Sequence, residues 1–200
     1  MIPARVALAL QQPYPVPTCV KDERDRAWLA AMFDGEGTIS IRRYDSYRKE
    51  VKQIYQDGFV AFTSVANSDT ELLEQCIVIT GYGSSRVKWR GRAGDIDKRG
   101  IVTRRDNYGW RLEANKAIDI IRAIYPYLIA KRKQACIAYT LDKLNKQGRI
   151  ERTIPGHGGR RVSKEIQDKK KLCWELIKKC NQREPVDIPT WIEEPQQEIQ

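Results

Sequence analysis

The sequence predicts an α+β fold, a four-stranded antiparallel sheet backed by helices, on three observations. The hydrophobic period switches between about 3.6 and 2 so that the chain runs helix, two strands, helix, two strands, helices. The strand segments come in adjacent pairs, as two hairpins of one sheet. Apolar residues alternate with polar or cationic ones in two of the strands, which leaves one sheet face wet. The order is an αββαββα core with a C-terminal helix.

Residues 1–20 read as an N-terminal arm. Its "MIPARVALAL" is a short apolar run broken by Arg5 and followed by Pro13, Pro15 and Pro17. An arm packing on the domain fits it better than a signal peptide. "DERDRAWLAAMF" is the first helix, with Asp22 or a neighbouring acid as cap and acids in its first turn. "GTISIRRY" alternates, placing Ile39 and Ile41 on one face. "GFVAFTSV", rich in β-branched and aromatic residues, is the second strand. "SDTELLEQCIVI" opens on a Ser/Asp cap signal and continues at helical spacing.

"GYGSSRVKWR" is a glycine turn feeding a third strand, residues 91–105 are loop, and "YGWRLEA" is the fourth strand. "NKAIDIIRAIYPYL" is a helix stopped near Pro126. "AKRKQACIAYTLDKLNKQG" is a long amphipathic helix expected to end at Gly148. After the loop "TIPGHGGRR", "SKEIQDKKKLCWELIKKCN" is the final helix. Residues 21–181 thus form the domain, and 182–200 a flexible acidic tail.

The 200 residues suffice for one domain with a core of its own, and 41% apolar with 31% charged residues suits a globular protein. No segment is long enough to span a membrane. The five cysteines are odd in number and form no Cys-x-x-Cys pair. Cys173 and Cys180 lie about 10 Å apart along one helix, too far for a bridge. Reduced, mostly buried thiols follow, and with them a reducing compartment, cytoplasmic or organellar, not a secreted protein. His157 is the only histidine, which removes His-rich zinc sites and His-centred nuclease motifs.

The formal net charge of +10 points to a polyanion, nucleic acid above all. Arg86, Lys88 and Arg90 alternate with Val87 and Trp89, so period two puts the three cations on one face of the third strand. Ser40, Arg42 and Tyr44 share the face of the first strand opposite Ile39 and Ile41. A twisted antiparallel ribbon with such a face can enter the major groove of DNA.

The segment "LAAMFDGEG", residues 29–37, resembles the signature of the LAGLIDADG homing endonucleases. Leu29, Ala30, Met32, Phe33, Asp34 and Gly37 match it by position or type, Ala31 replaces its usual glycine, and Glu36 its last aspartate. The resemblance extends over roughly residues 22–180, through "FTSVANSDTELLEQ" and "YPYLIAKRKQACIAYTLDKL". Small residues at Ala30 and Ala31 suit close approach of two such helices. Gly35 and Gly37 are expected to give the backbone freedom that ends a helix tightly.

The resemblance implies a site-specific double-strand DNA endonuclease that uses Mg²⁺, or Mn²⁺ or Ca²⁺ at the same site, and leaves 3′ overhangs. It implies that Glu36 is catalytic and the metal ligand. Asn67 falls where such enzymes place a polar residue that organises water. Lys131 matches a lysine near the scissile phosphates, with Lys133 as its neighbouring alternative. Leu29, Ala30, Ala31, Phe33 and Asp34 would form the dimer interface, Asp34 as a structural brace. Ser40, Arg42, Tyr44, Arg86, Lys88 and Arg90 would face DNA. Only one such motif is present, which implies a homodimer on a long, approximately palindromic target. An intron-encoded or free-standing gene fits better than an intein. Two alternatives share this fold: an RNA-binding intron maturase, and a DNA-binding regulator without catalysis.

Overall fold

The computed structural model describes residues 20–48, 53–82, 88–91, 93–96, 100, 102, 105–153 and 162–195. Helix α1 (Glu23–Gly35) leads into strands β1 (Gly37–Arg48) and β2 (Gln53–Asn67). Helix α2 (Thr70–Thr80) is followed by β3 (Lys88–Gly91) and β4 (Asn107–Glu113). Helix α3 (Asn115–Ile124) continues as a 3₁₀ turn at Tyr125–Tyr127, before α4 (Arg132–Thr153) and α5 (Lys164–Asn181). All strand pairs are antiparallel, in the order β1-β2-β4-β3. This is the α+β arrangement that the periodicity predicts.

Three of the helix starts, those of α1, α2 and α5, follow a local signal. The Asp22 carboxylate accepts the Arg24 N–H at 2.7 Å, and the Asp69 carboxylate accepts that of Glu71 at 2.9 Å. Ser163 caps α5 by accepting the Ile166 N–H. Strand alternation then sorts the sheet. Ile39, Ile41, Phe59, Ala61, Val65, Trp110 and Leu112 face inward and are buried against the helices. Phe33 of α1 meets the Trp110 ring at 6.3 Å. Helices α3, α4 and α5 add Ile118, Ile121, Ile137, Leu141, Cys173 and Ile177 to the same core.

The long helix does not stop at Gly148. It continues to Thr153, because that glycine sits where α4 meets the start of α5. A Cβ there would lie 3.1 Å from Lys170 Nζ and 3.1 Å from a Val162 methyl. The glycine therefore admits a neighbour instead of ending a helix.

The expected flexible tail is packed over 183–195. Lys133 Nζ donates to the Val186 carbonyl at 3.2 Å, the Glu193 N–H donates to Thr140 Oγ1 at 2.8 Å, and Lys143 pairs with the Glu193 carboxylate. Val186, Ile188, Trp191 and Ile192 are partly buried against the core. The acids that suggested a solvated tail alternate with apolar residues, and those supply the contact. Among the described residues, Cys76, Cys136, Cys173 and Cys180 are free thiols. Among the described residues no helix is long and apolar enough to cross a membrane.

Candidate active site and nucleic-acid interface

The end of α1 sets the site. Glu36 is the C-cap, its N–H donating to the carbonyls of Met32 and Phe33, and its side chain is exposed. Gly37 then enters β1 directly over Phe33. An added Cβ would lie 2.6 Å from the Phe33 Cα, so the position tolerates no side chain. The expectation of special backbone angles at Gly35 and Gly37 is corrected: neither has positive φ. Gly37 is required for close approach, and Gly35 faces open space.

Asp34, two residues before Glu36, turns toward another element. Its carboxylate accepts the backbone N–H groups of Ile129 (2.7 Å), Ala130 (3.2 Å) and Lys131 (3.0 Å). These are unpaired donors ahead of α4, so Asp34 caps that helix from across the fold. In return Lys131 Nζ donates to the Asp34 backbone carbonyl at 2.6 Å. The brace expected of Asp34 thus acts within its own chain. Lys131 is brought beside the end of α1 and Glu36, while the alternative, Lys133, is committed to Val186. Burial pulls the Lys131 pKa below its ordinary value; Asp34 and Glu36 oppose that shift, and Arg183 adds to it. Sequence reasoning missed Arg183, which follows α5 at positive φ.

Asn67 lies at the same end of the sheet. Gly37 pairs with Val65, and Asn67 is two residues further along β2. Its side-chain oxygen accepts the Asp69 N–H at 2.9 Å, forming the turn that starts α2. The amide nitrogen of this side chain is its remaining polar group.

Three residues of the expected dimer interface are corrected. Leu29 and Phe33 are 0% exposed and Ala30 1% exposed in a single chain. They fill the core behind the sheet and offer nothing to a second copy. Apolar periodicity marks a covered face without saying what covers it. The exposed side of α1 carries Ala27, Ala31 and Gly35 at four-residue spacing, with exposed Ile129 near its end.

The outer face of the sheet carries Ser40, Arg42 and Tyr44, with Arg42 and Tyr44 exposed. Register adds Val60, Phe62 and Ser64 from β2, and Arg111 and Glu113 from β4. Arg111 and Glu113 were not anticipated, although "WRLE" alternates as clearly as the first strand does. On β3, Lys88 pairs with Gly109. A register shift between Trp89 and Gly91 puts Arg90 at a bulge and breaks the strict alternation expected of Lys88 and Arg90. Arg86 lies outside the described residues.

No family model and no curated protein matches this chain. Solved structures do. The I-LtrWI LAGLIDADG homing endonuclease bound to target DNA aligns over 82% of this chain and 46% of its own, at 15% identity and TM-score 0.51. The homing endonuclease I-TnaI aligns over 79% of this chain and 96% of its own, at 11% identity and TM-score 0.50. The chain has the LAGLIDADG homing endonuclease fold. It spans most of I-TnaI but about half of I-LtrWI. In this LAGLIDADG fold residues 29–37 form the second half of α1 and its turn through Glu36 into β1. Among the described residues, no three metal-binding side chains cluster.

Proposed function

We propose that this chain is a site-specific double-strand DNA endonuclease that works as a homodimer with a divalent cation and leaves 3′ overhangs. The observation that carries the reading is the reciprocal Asp34–Lys131 contact, which holds a lysine beside an exposed carboxylate. Both stand at one end of a sheet whose outer face bears arginines. The two comparison structures support the reading at the level of fold.

Glu36 is the residue that would hold the cation. The single exposed carboxylate that each chain offers at the end of α1 suits Mg²⁺, which keeps several waters and takes one or two carboxylates together with phosphate oxygens. When bound, the cation would activate water and stabilise the leaving oxygen of a phosphodiester. Lys131 places positive charge where the phosphate becomes more negative. Asn67 donates from its side-chain nitrogen to orient the attacking water. Ser40, Arg42, Tyr44, Arg86, Lys88 and Arg90 bind DNA. Arginine suits guanine edges, and lysine suits phosphate. Two copies meet through the exposed Ala27–Ala31–Gly35 side of α1, bringing their Glu36 carboxylates together beneath an approximately palindromic target.

The test is cleavage of DNA spanning the gene's own insertion site, rejoined as if the element were absent, with and without Mg²⁺. Cutting near the junction that is lost in Glu36→Gln, with binding kept, supports the reading. Full cutting by Glu36→Gln overturns it. Metal-independent binding without cutting by the unaltered chain favours a regulator instead.

A further inference from the structure

Three outer-face side chains form a plate across the sheet. Glu113 Oε2 accepts from Arg42 Nη2 at 3.0 Å, bridging from β4 over β2 to β1. Glu113 Oε1 lies 2.9 Å from Arg111 Nε. The Arg111 guanidinium in turn rests 3.9 Å from the centre of the Phe62 ring, which is the cross-strand partner of Glu113. The three polar side chains keep 50%, 37% and 35% of their surface exposed.

Ion pairs this open add little to folding stability. A carboxylate in the middle of a face that meets a polyanion also works against binding. Its effect on the arginines points the other way. An unbraced arginine is free to rotate and can settle on whichever phosphate is nearest. Held by one carboxylate, both guanidiniums keep a fixed direction, and five N–H donors each leave enough to reach a base edge. The same negative charge disfavours phosphate at that spot.

We infer that Glu113 is a specificity-determining residue, bracing Arg42 and Arg111 for base reading at the cost of sequence-independent affinity. This rests on the proposal that the outer face binds DNA.

The test is selection from a pool of duplexes with a randomised core. The full-length chain is compared with Glu113→Gln, Glu113→Asp and, as a control for charge on the helical side, Glu175→Gln. Glu113→Gln should bind a fixed non-target duplex several-fold more tightly. Its discrimination at two or more positions of the selected motif should fall about tenfold. Glu113→Asp keeps the charge but is too short for both arginines, so discrimination should fall without that gain in affinity. Glu175→Gln should match the unaltered chain. Glu113 variants that select the same motif with discrimination unchanged overturn the inference while leaving the DNA reading intact. An unaltered chain that binds no duplex and enriches no motif overturns both.

Discussion

Asp34 and Lys131 hold one another at two points: the Asp34 carboxylate accepts the Lys131 N–H, and the Asp34 carbonyl accepts the Lys131 ammonium. The end of α1 and the start of α4 are thereby one mechanical unit. Replacing Asp34 by alanine removes the acceptor of three backbone N–H groups. We expect a loss of about 1–2 kcal/mol, the range of a helix cap, and a melting temperature roughly 2–8 °C lower. Cleavage should fall further than folding does, because Lys131 loses its seat. A melting temperature unchanged in Asp34→Ala would remove the cap from the account.

Lys131 gives a pH dependence of known sign. Burial lowers its pKa from 10.5, so between the lowered value and the ordinary one the folded chain binds fewer protons than the unfolded chain. Stability attributable to this group therefore rises with pH across that window. Cleavage, if it uses the ammonium charge, falls across the same window. Lys131→Arg stays charged there, so its single-turnover rate should lack the alkaline fall, whereas Lys131→Met should be slow at every pH. Identical alkaline limbs in the unaltered chain and Lys131→Arg would assign the fall to another group.

The buried and exposed sides of α1 separate cleanly, and the proposed homodimer contact falls on the exposed side. Phe33→Ala empties a fully buried site against Trp110 and should cost about 3–5 kcal/mol, measured by denaturant unfolding and independent of protein concentration. Ala31→Glu changes an exposed position and should alter folding by less than about 0.5 kcal/mol. Sedimentation should then show a shift from dimer to monomer. An unaltered assembly in Ala31→Glu would move the contact elsewhere.

The segment after α5 should matter for stability. A chain ending at residue 182 loses the half-buried Val186, Ile188, Trp191 and Ile192 and the Thr140–Glu193 contact. Its unfolding free energy should drop by about 2 kcal/mol or more. Equal denaturation midpoints for the two chain lengths would mean that the segment covers the helices without supporting them.

Local features were readable from the sequence. The Asp22 and Asp69 caps, the alternation that buries Ile39 and Ile41, and the outward set Ser40, Arg42 and Tyr44 all depend on neighbours a few residues away. What escaped depends on distant partners. Gly148 reads as a helix stop until Lys170 and Val162 arrive beside it. The three donors that Asp34 caps lie 95 to 97 residues along the chain. Arg111 and Glu113 become part of one plate only through the β2–β4 register. Leu29, Ala30 and Phe33 show the same limit, since an apolar stripe looks alike whether it meets its own sheet or another subunit.

The tether at 183–195 also has a practical side. Thr140, Lys143 and Lys133 fasten it to α4, on the layer behind the sheet. Cargo attached beyond this strap, such as a fluorescent reporter or a second enzyme, would hang from the back of the molecule. The arginine-bearing front would stay uncovered, which makes this end of the chain the natural handle for building fusions.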